Sequence, residues 1–289
     1  NGVGMAISEK ILAAEFNEED IKPVDHFTYV FLGDGCLMEG ISHEACSFAG
    51  THNLGKLICF YDQNGISIDG EIKHWFTDDS VKRFESYGWQ TICVDGHNIE
   101  EIDKAISEAK IELNKPSMIF CKTTIGFGSP DKAGTSASHG APLSQEEIDN
   151  MKKNLGWDYE PFEIPTDIKD AWRLIGLKNT SERKDWEDRL SNIDDKKKVK
   201  FLHAVNGDIS DLVKKNLQNL KQKYSSENPK LATRQSSQQV LEILNDVVEE
   251  MVGGSADLTP SNNTKTKNID PISKNNFKGR FIHYGIREH

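Results

Sequence analysis

The sequence lacks a long hydrophobic segment, because no run of about 18 apolar residues occurs among its 289 residues. We therefore expect no membrane span and no membrane partner. Residues 1–5 also lack the basic stretch that opens a secretory signal, and no initiator methionine precedes them. Since the sequence begins and ends abruptly, at Asn1 and His289, we expect it to be a segment of a longer chain.

Positive charge is in deficit, with 35 Lys and Arg residues against 46 Asp and Glu residues and a net charge of -11. This balance argues against a nucleic-acid backbone or an anionic membrane surface as the main partner. An acidic protein can still bind a phosphorylated ligand if a magnesium ion, helix N-termini and a few placed Arg or His groups compensate the charge.

Cysteine is scarce, and none of the five cysteines forms a C-x-x-C pair. Most of them lie inside apolar segments, which favours small core residues over metal ligands or disulfides. Free buried thiols are typical of a reducing compartment, so a cytoplasmic location is expected.

The sequence also lacks a G-x-G-x-x-G segment between a strand and a helix with an acidic residue further along. That pattern carries the phosphates of dinucleotides in Rossmann folds. A nicotinamide-binding protein is therefore disfavoured.

The first two thirds of the sequence alternate strand patterns with helical patterns. Hydrophobic residues make up 36% and charged residues 28%, a balance typical of one large or two ordinary globular domains. Strands are predicted at 27–32, 56–61, 90–94 and 117–122, and helices at 3–16, 39–49, 78–87 and 99–113. This alternation predicts an α/β fold, a parallel sheet covered by helices on both faces.

A second unit is predicted after a charge-dense stretch at 181–200, which is typical of a solvated helix or connector. A helical pattern covers 236–251, residues 252–257 resemble a strand that passes into a loop, and residues 280–284 resemble another strand. We expect a first domain over 1–205, including the charged linker, and the start of a similar α/β domain over 206–289.

The candidate site lies where the first two strands end. Asp34, between Gly33 and Gly35, follows the first strand, and Asn64 follows the second. Ligands of open parallel sheets bind beyond the carboxyl ends of the strands. One carboxylate and one amide oxygen suit Mg²⁺, which prefers oxygen ligands and keeps phosphates in its shell, while the glycines let backbone approach those phosphates.

Several further segments share one family's pattern. In order along the chain they are 33–44, 61–70, 126–129, 138–143, 232–234, 253–258 and 283–288. These segments resemble the transketolases, enzymes that depend on thiamin diphosphate. The resemblance spans essentially the whole sequence and implies a thiamin-diphosphate-binding fold. It makes 1–205 the diphosphate- and magnesium-binding domain, without its N-terminal part, and 206–289 an incomplete pyrimidine-binding domain.

The resemblance implies a role in cofactor binding for each matching residue. Asp34, the side chain of Asn64 and the main-chain carbonyl of Ile66 would bind Mg²⁺, which Ca²⁺ could replace. Ile68 would pack near the thiazolium ring. Glu39 would lie at the dimer interface and link towards Glu288 of the partner subunit.

It likewise implies the residues closest to the chemistry. Glu288 would be the carboxylate that meets N1′ of the aminopyrimidine, where a buried acid with a raised pKa can share a proton. His139 would lie close to the diphosphate and the reacting carbon. Arg234 and Ser261 would bind the sugar phosphate, and Asp257 would lie in the substrate channel.

The implied activity is the transfer of a two-carbon ketol unit from a ketose phosphate to an aldose phosphate, in the pentose phosphate pathway. The implied assembly is a homodimer with active sites at the subunit interface, so the 289 residues alone are expected to be inactive. Ser136 departs from the pattern, because many relatives carry a histidine there, which bears on details of substrate contact.

Three alternatives remain open. Dihydroxyacetone synthase is very similar in sequence, and part of the substrate choice depends on segments outside this sequence. Deoxyxylulose-phosphate synthase ranks low, because it would lack the context at 138–143. A truncated or split subunit that binds cofactor without turnover is a non-catalytic alternative. The presence of Glu288 disfavours loss of function by mutation, but truncation could produce it anyway.

Overall fold

A computed structural model of the chain describes residues 1–207, 211–287 and 289, which form two compact units. The first unit contains residues 1–7 and 26–187, and the second contains 8–25 and 188–289. The helices are α1 (Gly2–Phe16), α2 (Gly40–Thr51), α3 (Ser80–Ser86), α4 (Ile99–Ile111), α5 (Gln145–Leu155), α6 (Thr166–Ser191), α7 (Asp195–Asn206), α8 (Asp211–Glu227), α9 (Thr233–Val247) and α10 (Thr259–Asn262). The strands are β1 (Thr28–Gly33), β2 (Leu57–Gln63), β3 (Ile66–Ser67), β4 (Gly70–Glu71), β5 (Gln90–Asp95), β6 (Ser117–Lys122), β7 (Gly253–Ser255) and β8 (Phe281–His283).

A four-stranded sheet in the order β1-β2-β6-β5 organises the first unit, and all its pairings are parallel. Gly33 pairs with Asp62, and Lys122 pairs with both Gln63 and Asp95. Since the strands run in register to their last residues, the loops that follow them leave from one edge of the sheet. This edge is where the site described below is built.

Helices cover both faces of this sheet, as predicted. On one face, Ile58, Phe60 and Ile119 pack with Ala105 and Ala109 of α4 in a buried cluster. Because side chains alternate along a strand, the neighbouring residues face the other side. There an aromatic cluster joins Tyr61, Phe120, the α3 residue Phe84 and Trp89 through edge-to-face contacts. Burial of apolar side chains on both faces explains why the two central strands, β2 and β6, read as continuous apolar runs.

Trp89 also ties α2 to this second face, because its indole N–H donates a 2.8 Å hydrogen bond to the carbonyl of Cys46. The glycine beside that contact is required, since a Cβ on Gly50 would lie 1.8 Å from the Tyr87 carbonyl oxygen. The helix that follows the site loop is therefore held closely against the end of α3.

The second unit contains the start of another parallel sheet, in which β7 pairs with β8. Backbone approach is close here, because a Cβ on Gly254 would lie 2.6 Å from the carbonyl oxygen of Ile282. The Arg280 guanidinium donates hydrogen bonds to the carbonyls of Asn245 and Val248 at 2.8 and 3.0 Å, at the C-terminal end of α9. A charged donor at a helix C-terminus satisfies carbonyls that have no partner within the helix.

Several element boundaries differ from the sequence prediction, and local hydrogen bonds explain the differences. The helix predicted from 78 begins at Ser80, because the Asp79 side chain accepts from the Lys82 N–H as an N-cap. The helix predicted over 236–251 begins at Thr233, where the Gln235 side chain accepts from the Ala232 N–H. Within 252–257 the predicted passage from strand to loop occurs after Ser255, the last residue of β7, and Asp257 in the loop adopts a φ of 62° that no strand accommodates.

The charge-dense stretch at 181–200 is helical, in the last part of α6 and the first half of α7. Asp194 caps α7 by accepting from the N–H groups of Lys196 and Lys197. Most residues of the 181–200 stretch are exposed, which agrees with its interpretation as a solvated segment.

Candidate cofactor site

Asp34 lies at the carboxyl end of β1, and both of its carboxylate oxygens accept hydrogen bonds. The Tyr61 hydroxyl donates to Oδ1 at 2.5 Å, and the Gly65 N–H donates to Oδ2 at 3.0 Å. The residue is buried, at 4% exposure, and it directly precedes the short 3-10 helix Gly35–Leu37 without a capping hydrogen bond from its side chain. A buried carboxylate is stabilised only if such donors replace the water that it loses. Asp34 is therefore held in one orientation by the end of the neighbouring strand.

The turn after β2 supplies the other candidate ligands. Asn64 Oδ1 accepts from the Ile66 N–H at 3.0 Å, which closes an Asx-type turn. Gly65 has a φ of 72°, a left-handed conformation that glycine adopts at little cost. Because its N–H reaches Asp34, the turn and the end of β1 form one cluster. The structure thus brings Asp34 together with the 64–66 turn.

The donor set of this cluster suits a hard cation. It offers a carboxylate from Asp34, an amide oxygen from Asn64 and the main-chain carbonyl of Ile66. Among residues 1–207, 211–287 and 289, no group of three His, Cys, Asp or Glu side chains is arranged to hold a metal. A metal here would therefore have one carboxylate ligand and complete its shell with neutral oxygens and phosphates, which is how Mg²⁺ is commonly held.

Tyr61 was not a candidate from the sequence, because it lies within the apolar run of β2. It is 1% exposed, and its ring packs edge-to-face on Phe120 at 5.5 Å between centroids. Burial, and then the hydrogen bond to the Asp34 carboxylate, raises the pKa of the Tyr61 hydroxyl far above its usual range. The hydroxyl therefore remains protonated and acts as a permanent donor. The sequence feature that could have identified Tyr61 is a single tyrosine in a buried strand that ends at an acidic turn.

A second polar contact orients the Asn64 amide. The Thr123 hydroxyl, just after β6, donates to the Asp62 carboxylate, and the Asn64 side-chain NH₂ lies 3.4 Å from the other oxygen of Asp62. With its NH₂ group turned towards Asp62, Asn64 directs its oxygen towards the Ile66 backbone. Sequence reasoning missed Thr123 and Asp62, since they contact each other only through the pairing of β2 with β6.

The two glycines beside Asp34 leave room at the end of β1. A Cβ added to Gly33 or Gly35 would meet no heavy atom within 4 Å. Packing within the described chain therefore does not require glycine at either position. Open space next to a buried carboxylate is the kind of cradle that a diphosphate could enter.

Glu39 and Ile68 lie on exposed surface of the first unit. Glu39 is the N-cap residue of α2, and its side chain makes no capping hydrogen bond. Ile68 is 76% exposed in the turn between β3 and β4. Both positions leave the side chain available to a partner or ligand, and neither contributes to the core.

His139 lies on the long loop after β6, at the end of the 3-10 helix Ser136–Ser138, and is exposed. The Thr135 and Ser138 hydroxyls both donate to the Lys132 carbonyl, at 2.8 and 2.6 Å. These bonds fold the loop back on itself before the histidine. The loop leaves from the same sheet edge as Asp34 and the 64–66 turn, since β6 pairs in register with β2.

A buried pair anchors this loop to α5. The Ser129 hydroxyl donates to Glu147, and the Asp131 N–H donates to the same carboxylate oxygen at 3.1 Å. Both Ser129 and Glu147 are buried. The Ser129 hydroxyl, followed by the backbone donors of Asp131 and Lys132, lowers the pKa of Glu147 below its usual range.

His97, to which no role was assigned from the sequence, braces the start of the same loop. Its Nε2 accepts from the Thr124 N–H at 3.0 Å, and its ring stacks on Phe127 at 4.1 Å between centroids. Because Nε2 accepts, the ring carries its proton on Nδ1 when it is neutral. His97 follows β5 and Thr124 follows β6, so their contact depends on the two strands being neighbours in the sheet.

The candidate substrate residues lie in the second unit. Arg234 is in the first turn of α9, Asp257 follows β7, and Ser261 is in α10, and all three are exposed. Buried Ser255 shapes the loop between them, because its Oγ accepts from the Leu258 N–H at 3.1 Å and from the Asn262 amide at 3.0 Å. The segment after β7 thus carries Asp257 in its loop and Ser261 in α10.

Glu288 lies outside the described residues. Its predicted role at the aminopyrimidine therefore stays a prediction from the sequence.

Comparison with known protein families assigns both parts of the chain. Residues 1–209 match the family model described as the transketolase thiamine diphosphate binding domain. Residues 229–289 match the model of the transketolase pyrimidine binding domain. The chain belongs to the transketolase family. Asp34, Asn64 and Ile66 lie in the part that matches the first transketolase model, and Arg234 and Ser261 lie in the part that matches the second.

Individual transketolases are similar along the whole chain. Transketolase 2 of Escherichia coli is 49% identical over 293 residues, and the transketolase of Buchnera aphidicola from Acyrthosiphon pisum is 48% identical over 295 residues. Both alignments cover 100% of this chain. The chain spans only 44% of the length of these curated relatives.

A solved structure of a transketolase mutant from Pichia stipitis in complex with fructose 6-phosphate is similar as well. Its TM-score is 0.90 at 37% identity, over 100% of this chain and 44% of the other. The transketolase fold therefore extends over the whole described chain. None of its described helices combines the length and apolar character that crossing a membrane requires.

Proposed function

We propose that the chain is part of a thiamin-diphosphate-dependent transketolase, which moves a two-carbon ketol unit from a ketose phosphate to an aldose phosphate. The observation that carries the proposal is the joining of Asp34 to the 64–66 turn by the Gly65 N–H, at the sheet edge where ligands of this fold class bind. Membership of the transketolase family supports the same reaction.

In this proposal Asp34, the Asn64 amide oxygen and the Ile66 carbonyl hold Mg²⁺, or Ca²⁺ in its place. Gly33 and Gly35 leave space for the diphosphate beside the metal. Thiamin diphosphate, when bound, supplies the carbon nucleophile that carries the ketol unit between substrates. The protein contributes binding, orientation and control of protons around it.

The proton-handling roles fall to two residues. Glu288 holds a proton at N1′ of the aminopyrimidine, a task that a carboxylate with a raised pKa can perform when it is shielded from water. His139 lies near the reacting carbon, where an imidazole can donate or accept a proton. Ile68 packs against the thiazolium ring and orients it, and the exposed Ile68 side chain is free for such a contact.

Substrate binding requires local positive charge and polar groups, because the protein as a whole is acidic. Arg234 binds the sugar phosphate as a charged, planar donor, and Ser261 adds a hydroxyl donor. Asp257 lies in the substrate channel and accepts from sugar hydroxyls. The complex of the Pichia stipitis relative with fructose 6-phosphate supports sugar phosphates as the substrate class.

The proposed setting follows the family. The protein would be a cytoplasmic homodimer of the pentose phosphate pathway, with active sites at the subunit interface and Glu39 linking towards Glu288 of the partner subunit. Residues 1–205 would form the diphosphate-binding domain with its charged linker, and 206–289 the start of the pyrimidine-binding domain. Neither nucleic acid nor a membrane is a proposed partner.

The test uses the full-length protein that carries this sequence. Thiamin diphosphate is titrated by calorimetry with and without Mg²⁺, for the wild type and for Asp34→Ala, and ketol transfer is then assayed with sugar phosphates. Tight binding that requires both Mg²⁺ and Asp34 supports the proposal. Binding that is indifferent to both, in a folded sample, would contradict the cofactor assignment and the mechanism together.

A further inference from the structure

We propose that Tyr61 is a positioning residue for the metal, because its hydroxyl fixes the Asp34 carboxylate in the orientation that binds Mg²⁺. The proposal rests on the proposed function, which makes Asp34 a metal ligand. It adds a residue that does not touch the metal but determines how the ligand meets it.

The hydrogen bonds of the Asp34 carboxylate leave room for a metal ion. Tyr61 donates to Oδ1 at 2.5 Å and Gly65 donates to Oδ2 at 3.0 Å, so each oxygen has one donor. A carboxylate offers about four lone-pair positions. One position therefore remains on each oxygen, and a metal can bind without displacing either donor.

The Tyr61 hydroxyl is held rigidly. Tyr61 extends from β2, which pairs in parallel with β1 so that Leu32 lies opposite Tyr61. Its ring is held by Phe120, which in turn packs edge-to-face on Phe84 at 6.1 Å between centroids. With 1% of its surface exposed, the ring has no space in which to swing away. The donor is thus fixed by strand pairing and core packing before any metal arrives.

Removal of the Tyr61 hydroxyl would leave the Asp34 carboxylate less well oriented. Without the hydroxyl, Asp34 Oδ1 would keep its burial and lose its donor, and the carboxylate could rotate about its side-chain bonds to find another. Outer partners that orient metal ligands commonly change metal affinity by about 10- to 100-fold when they are removed. Tyr61 fits this class, because it contacts the ligand and not the open space beside Gly33 and Gly35.

The test is Tyr61→Phe in the full-length protein, a change that keeps the ring and removes one oxygen. We expect the Kd for Mg²⁺, measured by calorimetry at saturating thiamin diphosphate, to rise about 10- to 100-fold. At saturating Mg²⁺ the KM for sugar phosphate should stay close to that of the wild type, because Tyr61 does not contact the substrate. A uniform loss of fold would instead change both quantities.

Tyr29→Phe is the matched control, because Tyr29 lies on the adjacent strand β1 with 45% of its surface exposed. Its Kd for Mg²⁺ should equal that of the wild type. An unchanged or tighter Kd in Tyr61→Phe would overturn the proposal, since tighter binding would mean that the hydroxyl competes with the metal for Asp34.

Two further measurements separate the possible failures. If the wild type itself shows no Mg²⁺-dependent binding, the proposed function fails, whereas normal wild-type binding with an unaffected Tyr61→Phe rejects only the role of Tyr61. If Tyr61→Phe does not fold, a crystal structure of the wild type with Mg²⁺ and thiamin diphosphate decides. The hydroxyl should remain hydrogen-bonded to Asp34, and its displacement by the metal would reject the proposal.

Discussion

The Gly65 N–H donates to Asp34 Oδ2 at 3.0 Å, although 31 positions separate the two residues in the sequence. The bond depends on the left-handed backbone of Gly65, with a φ of 72°. It connects the loops that follow β1 and β2, so the backbone conformation of one residue joins the two halves of the candidate metal site.

Gly65→Ala should therefore weaken the site through backbone strain. No heavy atom lies within 4 Å of the added Cβ, so crowding does not contribute. A left-handed alanine costs about 1–2 kcal/mol, and a turn that relaxes would withdraw its N–H from Asp34. We expect a lower unfolding temperature and weaker Mg²⁺ binding, measured by calorimetry. Gly65→Asn should lose less, because asparagine tolerates this conformation, and equal losses in both variants would contradict the explanation.

Gly254→Ala should disrupt the pairing of β7 with β8. The added Cβ would lie 2.6 Å from the Ile282 carbonyl oxygen and 2.3 Å from the Tyr284 ring. Overpacking of this kind typically lowers the free energy of unfolding by about 1–3 kcal/mol. The segment that carries Asp257 and Ser261 directly follows β7. Because disruption of β7 would displace these candidate substrate residues, the KM for sugar phosphate should rise. Gly253→Ala is the control, since nothing lies within 4 Å of its Cβ. If Gly253→Ala raised the KM as much as Gly254→Ala, the steric clash would not be the cause.

Glu147→Gln should lower thermal stability near neutral pH, with an effect that fades in acid. Hydrogen bonding from Ser129 lowers the pKa of Glu147 in the folded protein. A lowered folded pKa stabilises the protein above the unfolded value of about 4.3, and this contribution is lost as the pH falls through the folded pKa. The unfolding temperatures of the two proteins should therefore approach each other as the pH falls below about 4.3 and coincide below the folded pKa.

Glu146→Gln is the comparison for that experiment, because Glu146 is the exposed neighbour in the same first turn of α5. It should show little difference from the wild type at either pH. A gap between Glu147→Gln and the wild type that persists unchanged into acid would mean that the charge of Glu147 is not what stabilises the loop.

The buried thiols should resist alkylation in the folded protein. Burial raises the pKa of Cys46 to about 12 and raises the pKa of Cys59 well above its usual value. Since the thiolate is the reactive form, iodoacetamide at pH 8 should leave both unmodified by mass spectrometry. In denaturant all five cysteines should react. Rapid labelling of Cys46 or Cys59 under native conditions would show that this face of the sheet opens readily.

The sequence was sufficient for the fold class because each apolar strand ends abruptly in polar or glycine residues. The strand at Ser117–Lys122 has the bounds that were predicted. The positions of Asp34 and Asn64 at neighbouring strand ends followed from the same alternation, since parallel strands place their carboxyl ends at one edge. Their roles as ligands remain predictions.

The residues that support the site could not be predicted in the same way. Tyr61 has the pattern of a core residue, and only the structure reveals that its hydroxyl reaches Asp34. His97 contacts Thr124 because β5 and β6 are neighbours, an order that periodicity does not encode. Asp257, two residues after β7, adopts a left-handed backbone that its residue type permits but does not require. Side-chain contacts between distant segments are the information that local pattern lacks.

The second compact unit is discontinuous, because residues 8–25 belong to it together with 188–289. Lys197 and Lys200 form ion pairs with Glu18 and Glu15 across sequence separations of 179 and 185 residues. During synthesis, residues 8–25 leave the ribosome long before Lys197 and Lys200 are made. The whole sheet of the first unit is synthesised in between. Contacts between residues that are so far apart in the sequence form slowly. The order of translation therefore makes this unit the later of the two to assemble, and a cut at residue 187 would not release it intact.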